Sequence, residues 1–264
     1  MFEVLEGLCD ELGLVHAKEV LGSKVEAAMA GELSYAEFLR DVLEAEASVR
    51  RHRSYETRMR LAGLPHKKGL ATFDFDFAKG VERTTINDLA SLAFIHGATN
   101  VVFLGPPGVG KTHLSVALAM EAIAGGHSVY FTTMAKMTND LLVAPSRHRA
   151  RKYLSPKLLV IDEIGYRALD QRAASVFFDI ISARYETASV ILSSNKGFSE
   201  WGELMGDGVL ATAILDRLLH HCVVINVKGE SYRLRDRKRQ GVSAHLEVAL
   251  TREKGDHVDP PHQL

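Results

Sequence analysis

No stretch of the chain approaches the ~20 consecutive apolar residues that a membrane helix requires. The opening residues, MFEVLEGLCDEL, carry acids where a secretory leader carries bases. Both absences lead to the expectation of a cytoplasmic protein with no membrane partner. Cysteine is scarce: Cys9 and Cys222 lie far apart, which suits a reducing compartment better than a disulfide framework. Nor does one sign of charge prevail, since 32 basic residues face 33 acidic ones. Overall charge therefore makes no case for a nucleic-acid partner, and the distribution has to be read instead. Finally, 264 residues leave room for one large α/β domain and a smaller appendage, not for several large domains.

What is present is a phosphate loop. VVFLGPPGVGKTH, from Val101 to His113, runs from an apolar stretch into three glycines, a lysine and a threonine. Glycine reaches positive φ without a Cβ clash, so such a loop can turn its N–H groups toward one anion. Gly105, Gly110, Lys111 and Thr112 have the spacing G-x-x-x-x-G-K-[ST], in which N–H groups cradle phosphates, the lysine reaches the β/γ oxygens and the hydroxyl ligates Mg²⁺. Leu114, Ala117, Leu118 and Glu121 continue as a helical pattern, whose N-terminal dipole adds to the anion site. The candidate nucleotide-binding set is Gly105, Pro106, Gly108, Val109, Gly110, Lys111, Thr112 and His113, with ATP and Mg²⁺ as cofactors.

Strand and helix then alternate, which implies a parallel sheet flanked by helices. KLLVIDEIG, residues 157–165, is an apolar strand that empties into two acids. Asp162 is placed in the Mg²⁺ shell through water, and Glu163 beside the γ-phosphate as general base for the attacking water. SVILSSN ends in Asn195, which either hydrogen-bonds the γ-phosphate or lytic water, or simply forms a turn. ATAILDRLLHH, residues 211–221, carries Arg217, either a surface base or an arginine finger for a neighbouring subunit's site. His220, His221 and Cys222 invite a zinc reading. It is disfavoured here because adjacent helical residues point about 100° apart and no second cluster completes four ligands. Arg233, in GESYRLRDRKRQ, either approaches the phosphates or belongs to a solvated basic tail.

The first third reads as helical. Ser34 and Glu37 form a capping box for a helix with Phe38, Leu39, Val42 and Leu43 as its apolar stripe, reaching Met59 and Leu61. RRHRSYETRMR at residues 50–60 sets five arginines against one glutamate. Arg50, Arg51 and Arg53 are candidates for phosphate contacts on DNA, the alternative being a solvated face. Gly63, Pro65 and Gly69 mark a linker. Phe73, Phe75 and Phe77 follow, either wrapping the adenine or stapling the linker to the core, before a helical stretch TTINDLASLAFI. The expected organisation is 1–65 helical and binding DNA or a partner, 66–240 the ATPase domain, and 241–264 a weakly ordered tail.

GPPGVGKTH, LLVIDEIGY, ILSSNKGFSEW and ILDRLLHH followed by GESYRLR resemble the IstB-type transposition helper ATPases of bacterial insertion sequences, themselves similar to DnaC-type helicase loaders in the AAA+ superfamily. The resemblance covers most of the chain. It implies a P-loop AAA+ core behind a small all-helical domain, and an ATPase that multimerises on duplex DNA and presents a target site to a cognate, IstA-like transposase. It also implies that TTMAKMTNDLL, residues 132–142, is an extra helical insertion that touches DNA, with Lys136 as its base. The chain departs from the AAA+ pattern in showing no lid domain. The alternatives are a replicative helicase loader and a small-molecule P-loop kinase.

Overall fold

The computed structural model describes residues 2–143, 147–232 and 234–235. It divides at Leu61 and Ala62 into two compact units. The first is three helices: α1 (Phe2–Glu11), α2 (Val15–Met29) and α3 (Tyr35–Leu61). The capping box at the start of α3 is formed, with Ser34 N donating to Glu37 Oε2 at 2.9 Å and Glu37 N to Ser34 Oγ at 3.3 Å. Ala17, Leu21 and Val42 are the buried centre of this unit, with Phe38 packed beside them. Leu39 and Leu43 are half exposed, so the apolar stripe is narrower than its sequence spacing suggests. Glu46 of α3 accepts from His16 N at 2.8 Å and Ala17 N at 3.3 Å, satisfying two of the donors that open α2. Arg50, together with those two N–H groups, holds the Glu46 carboxyl below its ordinary range.

In the second unit α4 (Arg83–Ala90) and α5 (Ala93–His96) lead into β1 (Asn100–Leu104), α6 (Lys111–Ala124), β2 (Val129–Thr133), α7 (Met134–Val143), α8 (Arg147–Leu154) and β3 (Leu158–Ile164). There follow α9 (Gln171–Arg184), β4 (Ser189–Ser194), α10 (Trp201–Met205), α11 (Gly208–Leu219) and β5 (Cys222–Asn226). The strands form one parallel sheet in the order β2-β3-β4-β1-β5. β1, β3 and β4 are central, which is why nearly every position in them is buried and apolar residues follow one another instead of alternating with polar ones. All strands point the same way, so β1, β3 and β4 end at one edge, and Lys111, Glu163 and Asn195 lie at or just beyond those ends, whereas Arg217 is on α11.

A core of Tyr153, Phe177, Ile181, Trp201, Met205 and Ile214 packs with Ile161 and Leu192 of the sheet. Arg184, 2% exposed, holds it at one end by donating to the carbonyls of Tyr153, Pro156 and Ser189 at 3.0, 2.9 and 2.8 Å. Burial pushes its guanidinium down to about 10. Two helical expectations are corrected. TTINDLASLAFI is broken into α4 and α5 because Leu92 takes a left-handed φ of 67°. α11 begins at Gly208, where the Asp207 carboxylate accepts from Val209 N and Leu210 N at 2.9 and 3.0 Å, and it ends at Leu219, before the two histidines. The tail expectation, 241–264, lies outside the described residues.

Candidate nucleotide site

The phosphate loop joins the end of β1 to α6. Gly105 and Gly110 have φ of 149° and 102°, and each also faces a neighbour that leaves no space for a side chain. A Cβ at Gly105 would overlap the Val227 carbonyl beyond β5, and one at Gly110 would stand 2.8 Å from the Phe73 ring. The loop is thus moulded between β5 and the segment that precedes the core. Lys111 is 6% exposed, and its Nζ donates to Gly105 O at 2.6 Å and Pro106 O at 2.8 Å. Its ammonium is held inside the loop whose N–H groups would receive the phosphates.

Thr112 Oγ1 donates to Asp162 Oδ2 at 2.8 Å, so the first turn of α6 is tied to the end of β3. Asp162, 3% exposed, also accepts a short hydrogen bond from Ser193 Oγ on β4. The same Ser193 oxygen accepts from Glu163 N at 3.2 Å. Between Ile161 and Ile164 the register of β3 against β4 shifts, and Glu163 sits in that irregularity at φ 64°. A non-glycine residue in this region carries strain of order 1–3 kcal/mol, and it persists only where the surroundings impose it. The result is that adjacent acids face differently: Asp162 is buried on the loop threonine, while Glu163 is exposed at the cavity wall. Sequence inspection found both acids and missed Ser193, which positions them.

The cavity has a volume of about 630 Å³ and is walled by Lys111, Thr112, Asp162, Glu163 and Ser193 together with the segment from Pro65 to Ala78. Its size is within the usual range for small-ligand sites. His113 holds the segment: its Nε2 is 3.1 Å from Gly69 O and 3.3 Å from Thr72 Oγ1, and its ring meets Phe73 edge-on at 5.2 Å. Burial lowers the basicity of both His113 and His66, with the nearby Lys68 charge acting in the same direction. Phe77 and Tyr232 close another side, with the Arg235 guanidinium 4.0 and 4.2 Å from their ring centres. Phe73 packs on the loop, as the stapling reading expects, and Phe73 and Phe77 line the cavity.

Residues 8–240 match the family described as IstB-like ATP binding protein. The chain belongs to that family. It is 46% identical over 242 residues to an ATP-binding protein of insertion sequence IS21 from Pseudomonas aeruginosa, covering 90% of this chain and 91% of the relative. A counterpart from insertion sequence IS5376 of Geobacillus stearothermophilus is 45% identical over 244 residues, covering 91% and 97%. Among solved structures, AMPPCP-bound DnaA from Aquifex aeolicus superposes with a TM-score of 0.53 at 19% identity, covering 70% of this chain and 57% of that one. DnaI superposes at 0.52 and 19%, covering 62% and 90%. At such identities the likeness is one of fold, and the fold is the α/β core, a parallel sheet flanked by helices, expected from the sequence.

The other candidate residues of this IstB-like chain are more scattered. Asn195 follows β4, and its Oδ1 is buried, has no hydrogen-bond partner among the described residues and stands over Gly165, outside the cavity wall. Arg217 donates to Ala213 O at 2.8 Å and lies 4.8 Å over the Phe178 ring, in an open depression on α11 separate from the nucleotide cavity. Lys136 is on the exposed side of α7, whose Met134, Met137 and Leu141 enter the core; α7 and α8 together connect β2 to β3. α8, RHRARKYL, is a basic stretch that the sequence reading passed over, with Lys152 paired to Asp140 at 2.8 Å and Arg151 exposed. In the helical unit Arg50 is engaged, donating to Glu46 at 2.7 Å and Gly13 O at 2.9 Å. Arg51 pairs closely with Glu44, and Arg53 is exposed. Arg233 lies outside the described residues. No helix among the described residues is long and apolar enough to cross a membrane.

Proposed function

We propose that this chain is a cytoplasmic, ATP-hydrolysing helper of insertion-sequence transposition that multimerises on duplex DNA and presents target DNA to a partner transposase. Family membership supports the ATP-binding part, and the names of its relatives support the insertion-sequence setting. The observation that carries hydrolysis is the chain of contacts Thr112–Asp162–Ser193–Glu163, which brings the phosphate loop and the ends of β3 and β4 to one cavity. Thr112 and Asp162 offer a hydroxyl and a carboxylate, the hard oxygens that suit Mg²⁺, Asp162 through water. Held there, the ion would supply charge neutralisation at the phosphates.

In this reading the loop N–H groups and Lys111 bind the phosphates, and Glu163 accepts a proton from the attacking water. Asn195 reads the γ-phosphate once that group enters. Arg217 acts in the site of the next subunit, consistent with its place outside its own cavity. Arg51, Arg53 and Lys136 contribute phosphate contacts, and 1–65 serves as the DNA- or partner-binding domain ahead of the ATPase domain at 66–240. Lys111→Ala should abolish ATP binding, whereas Glu163→Gln should bind ATP and not turn it over. Unchanged hydrolysis in Glu163→Gln removes it from the base role. A gel shift tests the rest: ATP- and length-dependent assembly on duplex DNA is expected, a single-strand preference points to a helicase loader, and no DNA binding to a small-molecule kinase.

A further inference from the structure

The sheet has a second edge, opposite the nucleotide cavity, where β4 and β5 begin. There Glu186, in the connection from α9 to β4, meets His220 and His221 at the end of α11. Each offers one ligand atom, and the three atoms lie within 4.8 Å of one another. Glu186 Oε1 is 3.6 Å from His220 Nδ1 and 4.0 Å from His221 Nε2, so one carboxylate oxygen faces both imidazoles.

The sequence argument against this pairing supposed that both histidines were helical. α11 ends at Leu219, and past the helix the two rings come to 4.2 Å between centres. The backbone holds them there, because His221 O accepts from Asn100 N at 2.8 Å at the start of β1. On the other side Glu186 takes a left-handed φ of 56°, unusual for a residue with a side chain. The carbonyls that close α11 leave a partial negative charge at this end, which favours a cation.

We propose that Glu186, His220 and His221 bind a divalent transition-metal ion, zinc by donor set, with water in the remaining position. Two imidazoles and a carboxylate suit zinc better than magnesium or calcium. Metal–ligand bonds of about 2.0–2.2 Å in a tetrahedron separate ligand atoms by about 3.3–3.6 Å, against 3.6 and 4.0 Å from the Glu186 carboxylate to the two imidazoles. The Tyr185 hydroxyl, 2.8 Å from His220 Nδ1, must turn aside to free that nitrogen. The bound ion would fasten the connection before β4 to the end of α11, the helix that carries Arg217.

The test is calorimetric titration of chelator-treated full-length protein with ZnCl₂ at neutral pH. The chain has 12 histidines, so site assignment rests on variants. Glu186→Gln and His221→Asn remove surface ligands and should keep the wild-type circular dichroism spectrum. The expected result is one equivalent bound with micromolar or tighter affinity, weakened at least about tenfold in each variant, and an increase in melting temperature with zinc that both variants lack. Weaker wild-type binding, or the same stoichiometry and affinity in both variants, overturns the proposal. It stands or falls independently of ATP hydrolysis.

Discussion

Ser193→Ala should damage the site more than its one lost oxygen suggests. Ser193 is 2% exposed, and its hydroxyl serves two partners at once, donating to Asp162 and accepting from Glu163 N at 3.2 Å. Alanine fills nearly the same space, so packing is preserved and the polar loss is isolated. One oxygen of a buried carboxylate and one backbone N–H are left without a partner. Hydrogen bonds to charged groups contribute about 1.5–3 kcal/mol and an orphaned N–H costs at least about 1 kcal/mol, which together give about 2.5–4 kcal/mol. With a urea slope of about 2–3 kcal/mol/M, the unfolding midpoint should fall by roughly 1 M. Catalysis should fall as well, because Ser193 anchors the N–H of a residue held at positive φ. Once that anchor is gone Glu163 can relax toward ordinary strand geometry, and a loss of about 1.4 kcal/mol in positioning is already tenfold in kcat. ATP affinity should change much less, since the phosphate loop keeps its lysine contacts and Asp162 keeps Thr112 at 2.8 Å. Urea unfolding, ATP binding and steady-state hydrolysis on the same preparation separate these effects. A variant with the wild-type midpoint and kcat would refute the reasoning that Ser193 positions both acids.

Four further outcomes are expected. His113 and His66 are held below the ordinary 6.5 by burial, so releasing the 65–73 segment takes up protons; its attachment should be complete above pH 6.5 and weaken as pH falls below it. Hydrogen exchange of that segment at pH 7.5 and 5.5 checks this, and equal protection after correction for intrinsic rates counts against it. Arg53→Ala should reduce the log-log salt slope of duplex binding by about 0.9 without loss of stability. Arg50→Ala should instead lower the melting temperature of the helical unit, because Arg50 ties α3 to Gly13 and Glu46. Arg217→Ala should bind ATP and hydrolyse it poorly, and mixing it with Lys111→Ala should recover part of the rate, since each subunit supplies what the other lacks. No recovery in co-assembled mixtures, verified by crosslinking, makes Arg217 a cis or structural residue.

The parts of this molecule that were legible in the sequence are those whose chemistry is set by near neighbours along the chain. The spacing of Gly105, Gly110, Lys111 and Thr112 between an apolar run and a helical pattern located the loop, and Leu158–Ile164 located the strand that ends in the acids. The capping box at Ser34 and Glu37 located α3. Each is a local rule, in which side chains a few positions apart satisfy the backbone or one another. The break at Leu92 was not legible for the converse reason. Nothing in TTINDLASLAFI disfavours a continuous helix, and the left-handed turn there is accompanied by packing against Gly125, where a Cβ would overlap the Leu92 side chain.

Groups that act across the sheet leave a fainter trace, but it can be read. β4 is buried at every position from Ser189 to Ser194, and three of those six residues are serines. A hydroxyl inside a fully buried parallel strand has to find a partner, because an unpaired buried polar group costs as much as the hydrogen bond it lacks. Ser189 finds Phe94 O at 3.0 Å, Ser194 finds Lys196 O at 2.9 Å, and Ser193 finds Asp162. A serine-rich apolar strand in a parallel sheet thus poses the question of what each hydroxyl bonds to, and that question leads to Ser193 beside the acid strand. The same question does not reach Glu186, His220 and His221, which are exposed and polar as surface residues commonly are. Their meeting depends on α11 ending one residue before His220 and on where β1 fixes His221, both consequences of the assembled sheet.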